Sequence, residues 1–118
     1  ANVDPPAKSN ACNIINDHYQ QGNFYSDSGQ YSLAVTEYTL AINQISVPNA
    51  TLHNNHAIAY YYLGLYSYAI EDFTQAVQIS GSTALIHHNR GLTFQLLGMA
   101  AQANSDFTIA CQLDAQYC

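Results

Sequence analysis

Residues 57–76 read AIAYYYLGLYSYAIEDFTQA, and the glycine near their centre organises the whole chain. Gly64 separates two helical patterns, each carrying small and aromatic residues at fixed offsets from it. Two other glycines sit in the same setting, Gly29 and Gly98, spaced 35 and 34 residues from Gly64. Five residues beyond each glycine stand Ala34, Ala69 and Ala103; nine beyond, Tyr38, Phe73 and Phe107; twelve beyond, Ala41, Ala76 and Ala110. Two beyond come Tyr31, Tyr66 and Ala100. Four before come Tyr25, Tyr60 and Phe94, and seven before come Gly22, Ala57 and Gly91. A generic helical bundle shows a period of about 3.6 residues; a second register of 34 to 35 residues marks a repeat array.

The pattern resembles the tetratricopeptide repeat, over about residues 15 to 117. The resemblance implies an all-α fold, an α-solenoid of three helix–turn–helix repeats with six helices. The repeats span about 15–49, 50–83 and 84–117, within a domain of 14–118 that follows an extended arm over 1–13. The helices are expected at about 14–28, 31–45, 51–63, 67–80, 84–97 and 100–114. Ser80-Gly81-Ser82 reads as a turn that ends one helix and caps the next. The family's usual Trp position, eleven before the glycine, holds His18, His53 and His87, and its inter-repeat Pro is replaced by Ser46, Gly81 and Ala115.

Composition excludes several functions. Only 8% of the 118 residues are charged, against roughly 25% in an average domain. The only cations are Lys8 and Arg90, and the net charge is -6. Nucleic acid requires a basic face that releases counterions, and an anionic membrane surface requires the same; neither is an expected partner. No run of about 20 apolar residues exists to span a bilayer.

The histidines fit packing better than metal chemistry. His18, His53 and His87 occupy one place on successive repeats, about a repeat apart, too far to share a metal that needs three or four converging ligands. The reading is three imidazoles filling the Trp site, each with one nitrogen hydrogen-bonded. No Gly-rich phosphate loop, GxSxG, CxxC or HExxH occurs, so no cofactor and no catalytic residue is expected. Glu37, Glu71 and Asp72 read as a solvated face of the second helices.

The resemblance implies a concave groove lined by the first helix of each repeat, where family members hold peptides. By register its walls are Tyr19, Asn23, Ser26, Asn54, Ile58, Tyr61, Tyr62, His88, Leu92 and Gln95. Family members that grip a terminal carboxylate use two Asn with Lys and Arg. Asn23 and Asn55 match the two Asn here, but Tyr19, Leu85 and Asn89 stand at the cation positions, so no carboxylate clamp is expected.

The ends suggest self-association. Ile14, Ile15 and Phe24 near one end, and Phe107, Cys111 and Leu113 near the other, have no further repeat to cover them. Either a cap beyond residue 118 or another copy stacked head-to-tail would shield them. Of the three cysteines, Cys12 is expected to bond a terminal cysteine of the next molecule, with an internal Cys111–Cys118 bridge as the rival. Asn49-Ala50-Thr51 is a glycosylation sequon, making a glycan at Asn49 a further expected partner. The ANVDPPAK start is what signal cleavage leaves, or a trimmed chain. The reading is a non-enzymatic interaction scaffold, secreted to an extracellular or periplasmic setting and self-associating into a fibre or oligomer. Its alternative is a monomeric adaptor that binds a peptide from another protein in the groove.

Overall fold

The computed structural model describes residues 11–80 and 83–118, with side chains from Asn13 onward. Six helices follow one another: α1 (Ala11–Asp27), α2 (Tyr31–Gln44), α3 (Ala50–Tyr62), α4 (Tyr66–Ser80), α5 (Ala84–Leu96) and α6 (Ala100–Leu113). A short 3₁₀ turn, Ala115–Tyr117, closes the chain. The first helix begins inside the stretch expected as an extended arm, at Ala11. The turn expected at Ser80-Gly81-Ser82 has its last two residues outside the described ones.

Each helix pair is made by its glycine. Gly29, Gly64 and Gly98 have φ of 77°, 77° and 76°, a left-handed conformation that costs a residue with Cβ. In the second repeat the Gly64 N–H donates to Tyr61 O at 3.0 Å and the Leu65 N–H to Tyr60 O at 3.0 Å. The last carbonyls of α3 are thus satisfied while the chain reverses. The same pair of bonds recurs at Gly29 and Gly98, each ending on the aromatic four residues before the glycine. That aromatic is therefore tied to the turn as well as to packing.

Small residues then let the paired helices close. Ala34, Ala41, Ala69, Ala76 and Ala110 are fully buried, and Ala103 nearly so. A Cβ on Gly22 would lie 2.5 Å from Tyr38 Cε1, and one on Gly91 2.6 Å from Phe107 Cε1. Two core clusters result: Leu52 and Ala59 of α3 seat on Ala34, Tyr38 and Ala41 of α2, and Ile86 of α5 joins the core of Phe73, Ala69 and Ala76.

Those junctions show what a further repeat would need. Leu52 and Ile86, twelve residues before their glycines, are 2% and 6% exposed; the equivalent residue of the first repeat is Asp17, which is exposed. Five before the glycine, the inner repeats have buried Ala59 and Thr93, where the first has Phe24 at 61% exposure. An acid replaces the apolar plug and a large ring replaces the small spacer. At the other end, α6 turns Gln102, Asn104, Ser105, Thr108 and Gln112 to solvent, while Phe107, Ile109 and Cys111 are half-buried. Tyr117 folds back so that its ring lies 4.9 Å from that of His88, which also has the Phe107 ring at 5.8 Å. The exposed residues of α6, Ala100, Ala101 and Leu113 among them, are uncharged, and Tyr117 packs against His88 beside them.

The cysteine expectation is corrected. Cys111 and Cys118 bond to each other, their Cα atoms 4.6 Å apart, inside the window a disulfide requires. Ending α6 at Leu113, with extended backbone at Asp114, swings Cys118 back to meet Cys111. Asp114 fixes this reversal by accepting from Gln116 N at 3.0 Å and from Gln116 Nε2 at 2.8 Å. Those bonds favour the charged carboxylate and lower its pKa below the ordinary value. Neither terminal sulfur is left for Cys12.

Candidate functional site

Two side-chain systems occupy the two faces of each repeat, one locking the helices together and one left open. The locking system runs from each first helix to its partner, always over nineteen residues. His18 Nδ1 lies 2.7 Å from Glu37 Oε1, His53 Nδ1 3.0 Å from Asp72 Oδ1, and His87 Nδ1 2.9 Å from Asp106 Oδ1. The three imidazoles do fill the Trp position, each with one nitrogen engaged. Glu37 and Asp72, expected on a solvated face, instead turn inward: Glu37 is half-buried and Asp72 buried, and only Glu71 is exposed. A carboxylate eight residues after each glycine is what the imidazole needs, since a buried ring N–H without an acceptor is costly.

A second donor joins the acid in the inner repeats. His56 Nδ1 lies 2.6 Å from Asp72 Oδ2 as an ion-pair contact without the alignment of a hydrogen bond. Arg90 forks onto Asp106, Nε to Oδ2 and Nη2 to Oδ1, both at 2.8 Å. Each of these residues also reaches back to the preceding repeat. His56 Nε2 lies 3.0 Å from Thr39 Oγ1, and Arg90 Nη1 donates to Thr74 Oγ1 at 3.2 Å. Intra-repeat and inter-repeat contacts therefore share one carboxylate. The His53–Asp72–His56 trio sets two nitrogens on two oxygens of one acid; among the described residues no three His, Cys, Asp or Glu side chains are arranged to hold a metal ion.

The open face is built by α1, α3 and α5. One hollow of about 140 Å³ is lined by Ile58, Tyr61, Tyr62, Phe73, Asn89 and Leu92. Beside it, sharing Ile58, a hollow of about 160 Å³ is lined by Asn23, Ser26, Asp27, Tyr38 and Asn55. A third hollow of about 360 Å³, lined by Ile15, Asn16, Tyr19, Asn49, Thr51 and Leu52, opens between α1 and α3. The amides are held in place: Tyr38 Oη donates to Asn23 Oδ1 at 2.6 Å, and Asn55 Nδ2 to Tyr19 Oη at 3.2 Å and to Asn23 Oδ1 at 3.5 Å. Burial, reinforced by Tyr19 nearby, pushes the Tyr38 hydroxyl up to about 12, so it remains a donor well above neutral pH.

Most expected groove residues line these hollows: Tyr19, Asn23, Ser26, Ile58, Tyr61, Tyr62 and Leu92. Two do not. Asn54 is buried, 7% exposed, and His88 is packed beneath Phe107 and Tyr117. Gln95 is exposed. In the tyrosine run, Tyr60 packs between His56 and Tyr68, Tyr61 lines the hollow, and Tyr62 stacks on Tyr31 with centroids 4.8 Å apart. Asp27 lines one hollow without a signal in the sequence, and Phe73, expected as a repeat-register aromatic, also lines the groove. The residues expected to self-associate divide: Ile14, Phe24 and Leu113 are exposed, whereas Ile15, Phe107 and Cys111 are half-buried. Asn49 is exposed, and its side chain caps α3 by accepting from Leu52 N at 3.0 Å.

Three stacked helix pairs with an amide- and tyrosine-lined face define the class: a helical-repeat protein with an open groove. Solved structures place it further. The second TPR domain of Spaghetti (RPAP3), bound to the HSP90 peptide SRMEEVD, is 30% identical with a TM-score of 0.81, over 92% of this chain and 98% of that one. The second TPR domain of human RPAP3, in complex with the HSP70 peptide SGPTIEEVD, is 30% identical with a TM-score of 0.82, over 89% and 87%. The TPR domain of Arabidopsis OM64 is 28% identical with a TM-score of 0.84, over 90% and 87%. The chain belongs to the tetratricopeptide-repeat family. No family model and no curated protein matches its sequence.

Proposed function

We propose that this chain is a non-enzymatic adaptor that holds a segment of another protein in the groove of α1, α3 and α5, without gripping a terminal carboxylate. The observation that carries this reading is the groove itself: adjoining hollows with fixed amides, open on the face built by α1, α3 and α5. It is supported by the peptides that the RPAP3 domains hold. Those peptides end in acidic residues, however, and among the described residues no cation lines this groove. Arg90, the one cation among the described residues, is forked onto Asp106.

Calorimetric titration with SRMEEVD should give no saturable heat at millimolar peptide. Display of random seven-residue segments, blocked at both ends, should yield segments whose capture is lost in Leu92→Asp. Segments still captured by that variant, with its helicity retained, would place binding elsewhere and overturn the reading.

Head-to-tail self-association has less support. Exposed Phe24 and Ile14 favour a contact at the first helix, but Asp17 and Phe24 stand where inner junctions use an apolar plug and a small spacer. Light scattering giving a monomer at micromolar concentration is the expected result. The Cys111–Cys118 bond supports an oxidising, extracellular or periplasmic setting, and a glycan on exposed Asn49 would accord with it.

A further inference from the structure

We propose that the groove selects segments pairing one apolar side chain with a nearby lysine or arginine; this rests on the adaptor reading and specifies its ligand. The tyrosine-walled hollow, at about 140 Å³, has the capacity for one aliphatic or aromatic group, since an apolar cavity of about 150 Å³ accommodates benzene. Its walls are aromatic and aliphatic apart from the Asn89 amide. The adjoining hollow shares Ile58 and carries Asp27, the only charged residue lining either one among the described residues.

Asp27 is the last residue of α1 and exposed. Nothing nearby in the hollow neutralises it: its fellow lining residues are amides, hydroxyls and Ile58. The net charge of -6 adds a field of the same sign. An acidic ligand is therefore repelled at Asp27, and a cation is attracted. Asn55 and Asn89, each nine residues before its glycine, offer amide groups between which a segment's backbone can lie. The occupant is thus a neutral-to-basic segment of a partner protein, internal to that chain or blocked at its terminus.

The same display library tests this. Captured segments should be enriched in Lys or Arg over Asp and Glu, together with one aliphatic or aromatic residue. The most enriched sequence, synthesised with both ends blocked, should bind Asp27→Asn roughly three- to fivefold more weakly, the effect of an exposed charge pair. Replacing its basic residue by Gln should weaken binding to the parent chain equally and to Asp27→Asn not at all. Acidic enrichment, or a dissociation constant indifferent to Asp27→Asn, overturns the inference. If such a peptide still loses binding in Tyr62→Ala and Leu92→Asp, the adaptor reading stands alone; if it keeps binding in both, that reading falls as well. Tyr62 is 59% exposed, so its truncation does not threaten the fold.

Discussion

Replacing Gly22 and Gly91 by alanine separates the two ends of the stack, although both glycines hold the same register position. In the interior of an exposed helix, Gly→Ala stabilises by about 0.5–1 kcal/mol. Here the new methyl would meet an aromatic ring. At Gly22 the added Cβ lies 2.5 Å from Tyr38 Cε1 and 2.6 Å from Cδ1, about 1 Å inside normal carbon contact. Tyr38 is 1% exposed, is hydrogen-bonded to Asn23 at 2.6 Å and has the Tyr19 and His56 rings beside it. It has no direction in which to yield. Overpacking costs about 1–3 kcal/mol, and displacing the hydroxyl forfeits about 1 kcal/mol more. The net loss for Gly22→Ala is about 1–3 kcal/mol. At Gly91 the ring is Phe107, at 2.6 Å, half-buried and without a polar anchor. It can pivot outward, so Gly91→Ala should fall between about 0.5 kcal/mol of gain and 1 kcal/mol of loss. Ala57, fully buried at the same register in the middle repeat, is the control; Ala57→Gly should lose about 1–2 kcal/mol of helix propensity and methyl burial. Urea titrations followed by both circular dichroism and tyrosine fluorescence measure the series and check for a single transition. A Gly22→Ala variant as stable as the parent, or less perturbed than Gly91→Ala, would refute the claim that the pinned Tyr38 sets the spacing of α1 and α2.

Other predictions concern the carboxylates and the phenol. Asp106→Asn should cost about 2–4 kcal/mol, because Asp106 is 1% exposed and Arg90 is left without its fork, although Arg90 keeps some access to water. Glu37→Gln, whose pair with His18 is partly exposed, should cost under about 1 kcal/mol; equal losses in thermal scans would contradict the account. Tyr38 has a folded pKa of about 12, above its ordinary 10.0. Its contribution is therefore complete below pH 10 and is lost as pH climbs toward 12. Burial of Tyr60 acts in the same direction. The urea midpoint should drop across that window, and less in Tyr38→Phe, a substitution that the equivalent Phe73 shows to be compatible with the position.

How much of this was legible in the sequence depended on whether a feature repeats. Turn glycines, buried alanines and plugging aromatics recur three times, and the helices fell within a few residues of expectation. The acids at Glu37, Asp72 and Asp106 recur just as regularly, but adjacency on a helix suggests a solvated face, and only repeat register pairs them with the histidines. The ends are where the pattern breaks, and there register was more informative than composition. Asp17 stands where the inner repeats place Leu52 and Ile86, and α6 exposes Asn, Ser, Thr and Gln rather than charged residues. The tail reversal depends on Asp114 and on the choice between two cysteine pairings, neither of which a periodicity encodes. In the groove, the missing cations were legible. The burial of Asn54 was not, because repeat register places it on the groove helix without reporting its exposure.

The central claim is that a partner segment lies along α1, α3 and α5 and that the clamp cations are absent there. Titrating the ¹⁵N-labelled chain with the end-blocked peptide selected from the display library tests it most directly. Saturable amide shifts clustered at Asn23, Asn55, Ile58, Tyr61, Asn89 and Leu92 are predicted, with SRMEEVD producing none. Shifts centred on α2, α4 and α6, or a saturable response to SRMEEVD at the two asparagines, would contradict the account.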